Sequence, residues 1–252
     1  MSDIPKNGFT SEWYDEEYFA GLKGGKKYRK PNGTIGKWSY FNPSGELKVA
    51  ELIAKAWKTM FNPRNALDVG SGRGTFVAYM RNAGIEAYGF DFSEWAVGEG
   101  RYKRCKPEWL ILHDATKPWP WNDRSFDLVT ALDFFEHIYI DDLDFVIKEM
   151  FRVANKWIFL QIAVVGGGSG AGIHDKGFII RRGEKIPREL EGAVVAGHVT
   201  VQPAEWWRNK LMEIGGDEWM FRRDMENWFF ALVPEAYVPN WSKNSVMVLE
   251  RI

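Results

Sequence analysis

"LDVGSGRGTF" (residues 67–76) decides the reading of this chain. A short apolar run leads into Gly70, Gly72 and Gly74, each two residues from the next, and a helix-like segment follows at once. A strand, a bare turn and a helix make up the crevice at the carboxyl ends of an open α/β sheet, where ligands sit. Glycines there let a ligand approach the backbone closely, and the amides at the helix start can meet an anionic group. A tight turn holding nothing would read the same over this stretch, so the surrounding chain has to choose.

Outward from the loop, strands and helices alternate. "NALDV" (65–69), "EAYGFD" (86–91), "EWLILHD" (108–114), "FDLVTALD" (126–133) and "KWIFLQIAV" (156–164) read as five strands, nearly continuous in apolar residues. Between them, "TFVAYMRNAG" (75–84) is a helix stopped by Gly84, and "SEWAVGEGRY" (93–102) is a weaker one capped by Ser93. "IDDLDFVIKEMFRVA" (140–154) aligns Leu143, Val146, Ile147, Met150 and Phe151 on one face, with acids in its first turn. This alternation predicts a parallel sheet covered on both faces. Upstream, residues 1–62 are aromatic and irregular, apart from "SGELKVAELIAKAWKTM" (44–60). There Leu47, Ala50, Leu52, Ile53 and Trp57 fall near helical spacing and Ser44 suits an N-cap. Downstream, the glycine-rich stretch 166–198 reads as a mobile excursion after the fifth strand. "PAEWWRNKLMEIGG" (203–216) reads as a helix entered at Pro203 and closed by Gly215, and "EWMFRRDMENWFFALVP" (218–234) and "NSVMVLERI" (244–252) as strand-like runs.

The bulk numbers set bounds. A chain of 252 residues with 45% hydrophobic residues can bury a large core, and its 13 tryptophans are expected mostly in core and rim packing. A net charge of −1 argues against a general polyanion binder. The lone Cys105 forms no internal disulfide, the polar start is no signal peptide, and no apolar run is long enough to span a membrane. A cytoplasmic protein is the expectation.

Two ligand classes compete for the glycine loop. A dinucleotide site of the G-x-G-x-x-G type would need glycine where Thr75 stands, and Asp68 would repel a pyrophosphate. An acid at that place suits a ligand with an ammonium group and no phosphate, such as S-adenosylmethionine (SAM). The residues expected to bind it are Asp68, Gly70, Ser71 and Gly72 in the loop, then Asp91 at the second strand tip for the ribose hydroxyls. Asp114 ends the third strand and, with the Ala115 amide, suits the adenine edge, with Phe92 against its face; Asp133 ends the fourth strand, near the sulfur. Each acid stands at the carboxyl end of a different strand, which a ligand-free turn does not require.

Here the chain resembles the class I SAM-dependent methyltransferases, most of all the small members with the "methyltransferase domain" signature. "LDVGSGRG" is similar to their first motif and "GFDFS" (89–93) to the ribose-binding strand end. "HDATKPWPWNDRSFDLVTALDFFEHI" (113–138) is the most specific stretch, and "GHVTVQPAEWWRNKLMEIGG" (197–216) resembles a later histidine-plus-helix element. The match runs over 65–163. It implies a Rossmann-like, doubly wound α/β fold with a seven-stranded sheet whose last strand is antiparallel. It also implies an N-terminal extension (1–62) that precedes and partly covers the cofactor, ahead of a catalytic domain (63–252) carrying the insert 166–198.

Methyl transfer needs positioning first, since the sulfonium is already a good leaving group; an oxygen or nitrogen acceptor can also need a base. Of four histidines, His137 after the fourth strand, near Asp133 and Glu136, and His198 before a helix are the candidates. His113 reads as packing and His174 as solvated. There is no N-P-P-Y motif for adenine N6 chemistry, Cys105 has no Pro-Cys context, and no Cys/His spacing implies a metal site. The expected acceptor is a small molecule or sugar-containing metabolite. RNA or a glycan chain gripped by Lys26, Lys27, Arg29 and Lys30 is the alternative, and a non-catalytic binding protein of the same fold is the third reading.

Overall fold

The computed structural model describes residues 8–19, 28–29, 35–36, 43–167, 176–187, 190, 197–238 and 241–252. Its longer helices and the strands of its main sheet, in chain order, are α1 (Pro43–Phe61), β1 (Asn65–Val69), α2 (Thr75–Asn82), β2 (Glu86–Asp91), α3 (Glu94–Lys103), β3 (Leu110–Leu112), β4 (Phe126–Leu132), α4 (Ile140–Val153), β5 (Ala154–Gln161), α5 (Ala204–Gly215), β6 (Trp219–Phe221), α6 (Arg223–Leu232) and β7 (Val246–Arg251); a single helical turn, Glu16–Phe19, precedes them. The strands join one sheet in the order β3-β2-β1-β4-β5-β7-β6. All run parallel except β7, which lies antiparallel to both β5 and β6. The Rossmann-like sheet with a reversed last strand is therefore present, and that strand is inserted between its neighbours. The chain order reverses between β1 and β4, which opens the ligand crevice beside the β1 tip.

Period-two alternation splits the core into two layers. Leu67, Val129, Ile158, Leu160, Met247 and Leu249 face α4 and α5, packing on Leu143, Ile147, Met150, Trp207 and Leu211. Ala66, Ala87, Leu128, Phe159, Val246 and Val248 face the other way, onto Ile53 and Trp57 of α1, Val77 and Met80 of α2, and Met225 and Phe229 of α6. Trp57 and Trp207 are fully buried, one in each layer.

Four local expectations change. The run 218–234 is strand only over Trp219–Phe221 and then turns helical. Met225, Phe229 and Val233 recur every fourth residue on the buried side, a helical period hidden by the density of apolar residues around it. Helix α1 starts at Pro43, so Ser44 lies inside its first turn and is not the N-cap; proline suits that first position because its missing N–H would find no partner anyway. At the end of α5 the left-handed residue is Gly216 (φ +59°), and Gly215 is still helical. Strand β3 spans three residues and stops at Leu112, so Asp114 sits in the loop beyond it.

The stretch 166–198 also carries order. Phe178–Ile179 pairs antiparallel with Thr200–Val201. Ile180 and Val199 are buried with Phe9, Trp13, Tyr14, Tyr18 and Phe19 of the N-terminal segment and with Ala96 and Tyr139. Residues 168–175, with His174, lie outside the described residues, as do 188–189 and 191–196. Lys26, Lys27 and Lys30 also lie outside them; Arg29 stands in a two-residue ladder, Tyr28–Arg29 with Ile35–Gly36.

One buried ion pair fixes α6 to the sheet. Arg208 of α5 donates from Nη1 and Nη2 to the two carboxylate oxygens of Glu226 (3.0 Å each), and the Val248 amide donates to Glu226 Oε1 (3.2 Å). Removing one charge leaves the other buried and uncompensated, which costs far more than the pair contributes. Glu226→Gln is expected to lower the unfolding free energy by about 3 kcal/mol, read as a shift of the urea midpoint at unchanged slope. A loss under about 1 kcal/mol would mean that Arg208 finds another partner.

Candidate functional site

A cavity of about 710 Å³ opens at the carboxyl ends of β1, β2, β3 and β4. The expected residues Asp68, Gly70, Ser71, Gly72, Asp91, Phe92, Asp114, Ala115, Asp133 and His137 all line it. His198 does not line it and is buried behind His137, the two rings meeting edge to face at 4.9 Å.

The glycine loop has the conformation the sequence asked for. Gly70, Gly72 and Gly74 have φ of +66°, +51° and +66°, in the left-handed region that side chains disfavour. A Cβ on Gly70 would meet the Phe134 ring at 2.4 Å. The loop is clipped to the β2 tip by Asp91: the Gly72 amide donates to Oδ2 (2.8 Å) and the Ser93 amide to Oδ1 (2.9 Å). Ser93 also caps α3, accepting from the Ala96 amide (3.0 Å), while its hydroxyl donates to the Tyr14 carbonyl. The N-terminal segment is thereby tied to the same strand tip.

The acids differ in environment. Asp68 is 2% exposed, and its Oδ1 accepts from the Thr130 hydroxyl at 2.7 Å. Burial pushes its carboxyl up to about 7, against the Thr130 hydrogen bond, and the neighbouring Asp91 adds to the rise. Burial raises Asp91 too, offset by its amide donors. Asp114 accepts from both the amide (2.9 Å) and the hydroxyl (2.8 Å) of Thr116, a local turn that holds it at the cavity wall. Asp133 takes a φ of +47°, rare for a residue other than glycine, and its amide donates to the Gln161 carbonyl at 2.9 Å.

His137 is neutral here. Burial drives its imidazole down to about 4, only partly offset by a hydrogen bond with the Gly197 backbone. Its Nδ1 stands 3.5 Å from the Tyr14 hydroxyl. Two contacts bring the distant His198 segment against it: the Val199 amide donates to the Glu136 carbonyl and the Thr200 hydroxyl to the Ile138 carbonyl, both at 2.8 Å. Sequence spacing implied no metal site, yet ligand atoms of Glu136, His137 and His198 converge within 4.8 Å of one another.

Sequence reasoning missed the aromatic wall. Phe9, Tyr14, Tyr18, Phe19, Phe134 and Tyr139 line the cavity, together with Arg182. The density of aromatic residues in 9–19 was visible, and the resemblance implied that the N-terminal extension partly covers the cofactor; which of its side chains line the cavity was not legible. Phe92 packs on Tyr14 at 5.1 Å. His113, expected to pack, meets Phe90 edge-on at 5.5 Å and also lines the cavity.

The cavity fits SAM on its own terms. Its glycine cradle leaves no room for a side chain at Gly70, and two lining residues, Ser71 and His113, hold buried atoms (Oγ and Nε2) without a hydrogen-bond partner. Such atoms need a polar partner. Carboxylates at successive strand tips add acceptors for hydroxyl and ammonium groups.

A family profile described as a methyltransferase domain matches residues 67–156, the stretch that builds this crevice. The chain carries a class I SAM-dependent methyltransferase domain. No curated protein matches it. Among solved structures the methyltransferase is similar to the plantazolicin methyltransferase BpumL in complex with a pentazolic desmethylPZN analog and SAH, at 14% identity and TM-score 0.56, over 84% of this chain and 86% of that one. It is also similar to a possible histamine N-methyltransferase from Thermotoga maritima, at 16% identity and TM-score 0.51, over 81% and 89% of the two chains. A chain from the complex of the Haloferax volcanii Trm112 methyltransferase activator with a putative methyltransferase matches at 12% identity and TM-score 0.52, over 83% and 94%. At such identities these likenesses concern the fold of the methyltransferase. Among the described residues no helix is long and apolar enough to cross a membrane.

Proposed function

We propose that this methyltransferase acts on an oxygen or nitrogen of a small molecule, sugar-containing metabolites included, and that residues 1–62 cap a catalytic domain of residues 63–252. The observation that carries the proposal is the aromatic wall: Phe9, Tyr14, Tyr18 and Phe19 lie along the cavity and are packed into a buried cluster with Tyr139, Ile180 and Val199. A cavity closed in this way admits a compact acceptor more readily than a folded polymer. The plantazolicin methyltransferase, of similar fold, is described with both a desmethylPZN analog and SAH, which supports room for an acceptor beside the cofactor product.

Bound SAM supplies a methyl group on a positively charged sulfur that leaves readily. The chain's part is to hold and shield. In this reading Asp91 accepts from the ribose hydroxyls and Asp68 pairs with the ammonium group. Gly70, Ser71 and Gly72 let the backbone come close to the methionine portion. Phe92, Asp114 and Ala115 hold the adenine, and Asp133 stands by the sulfur. Tyr14 and Phe134 exclude water. With its imidazole held near 4, His137 is a weak general base, since a catalytic base works best with a pKa near the working pH. His198, away from the cavity wall, is placed still less well for that task.

Asp68 gives this reading a pH signature. Its free-state pKa of about 7 stands above the ordinary 3.8, so the folded chain retains a proton there that the unfolded chain loses. Stability of the ligand-free protein therefore falls as pH rises from about 4 to about 7 and levels off above that. An ammonium partner needs the carboxylate, so binding releases that proton. Affinity for S-adenosylhomocysteine (SAH) is expected to be about tenfold weaker at pH 6 than at pH 8, and Asp68→Asn to flatten the dependence; titration calorimetry at both pH values reads it. An equally steep profile in the variant would assign the proton elsewhere.

The acceptor class is tested with SAM labelled in its methyl group, incubated with metabolite pools of hydroxyl and amine compounds and, in parallel, with RNA and glycan chains. Label in the low-mass fraction is the expected result. Label confined to polymer would replace this reading with the macromolecular one.

A further inference from the structure

Glu136 sits on the short turn Phe135–His137 that follows β4, and it is fully buried. One carboxylate oxygen, Oε1, accepts from the Ala163 amide at 3.1 Å; the other, Oε2, is sealed from solvent without a hydrogen-bond partner. The Asp133 carboxyl lies close by, at the cavity wall. A fully buried carboxylate with an orphaned oxygen, beside a second carboxyl group at the cavity wall, calls for a positive group or a proton.

The histidines supply the second observation. Ligand atoms of Glu136, His137 and His198 lie within 4.8 Å of one another, although His198 is 61 residues further along the chain than His137. They are held there by backbone, through the Val199–Glu136 and Thr200–Ile138 hydrogen bonds. One nitrogen of His137, Nδ1, stands beside the Tyr14 hydroxyl, and the ring also shares a hydrogen bond with the Gly197 backbone. A metal-binding histidine ordinarily has its second nitrogen engaged in this way.

We propose that Glu136, His137 and His198 bind one divalent transition-metal ion, with Asp133 at its edge and an open side toward the cavity. Two imidazoles and a carboxylate are a borderline donor set that suits manganese, iron, cobalt or zinc in the divalent state better than calcium or magnesium. His137 and Asp133 both line the cavity, so the open side faces the space left for the methyl acceptor. Resting on the methyltransferase reading, this narrows the acceptor to a hydroxyl compound whose oxygen can approach the ion.

The test uses the full chain, stripped with a chelator and titrated with cobalt(II) and manganese(II) alone. One equivalent of cobalt per chain, with visible ligand-field absorption, is expected. His198→Ala and Glu136→Gln should each weaken it at least tenfold while far-ultraviolet dichroism stays that of the wild type. If Glu136→Gln fails to fold, the wild-type spectrum and His198→Ala decide. Wild-type protein that takes up neither ion below millimolar concentration overturns the site, as does binding unchanged in His198→Ala. SAH is titrated into the same samples. SAH binding without ion binding overturns the metal site and leaves the methyltransferase reading standing; ion binding without SAH binding does the reverse.

Discussion

Asp91→Ala is expected to weaken SAH binding by at least two orders of magnitude. Its carboxylate holds the loop and the ligand together. In the free protein it accepts the Gly72 and Ser93 amides, one on each oxygen, and each oxygen keeps a further lone pair for a ribose hydroxyl. Hydrogen bonds to a charged group contribute about 1.5–3 kcal/mol each. Losing two of them corresponds to roughly 10²- to 10⁴-fold in affinity. The alanine variant also strands the Gly72 amide beside the glycine turn, so the cradle loosens as well as losing its anchor. Asp91→Asn keeps one acceptor and should fall between the two. Titration calorimetry with SAH measures all three proteins; an alanine variant within threefold of the wild type would remove Asp91 from the site.

Gly70→Ala carries the second large effect. At φ +66° an alanine pays about 1–2 kcal/mol for the left-handed backbone. Its Cβ would stand 2.4 Å from Phe134 Cδ2, so the ring has to swing out of its place along the cavity. A total of about 2–3 kcal/mol in stability and more than tenfold in SAH affinity is expected, measured by urea unfolding and calorimetry. Gly98 in α3 is the internal control: it has open space around it and no unusual φ. Gly98→Ala should raise stability by about 0.5–1 kcal/mol through helix propensity and leave SAH binding alone. Parallel behaviour of the two variants would mean that the turn at Gly70 is not what shapes the cradle.

What was legible in the sequence was what local physics dictates. Buried parallel strands write themselves as apolar runs, and an acid at the end of such a run marks the strand tip; Asp68 and Asp91 were found that way. The Ser93 cap was legible because a serine before an acidic first turn has one common role. Helix α6 was misread because only Arg222, Arg223 and Asp224 separate Trp219, Met220 and Phe221 from Met225, Trp228, Phe229 and Phe230, and so short a polar break hides the change from the strand period to the helical one. Nothing local brings His198 to His137: that meeting is made by the hydrogen bonds of Val199 and Thr200 to the β4 turn, a long-range contact no spacing rule contains. That the N-terminal extension covers part of the cofactor site was implied by the resemblance; which aromatic residues of 9–19 lie along the cavity was not legible, because no local pattern pairs them with strand tips so far along the chain.

Crystals of the protein grown with SAH test the central claim most directly. The account predicts adenosine and homocysteine density in the cavity at the tips of β1 to β3, with both ribose hydroxyls donating to Asp91 and the ammonium group beside Asp68. A product molecule bound elsewhere, or an Asp91 carboxylate turned from the sugar, would contradict it.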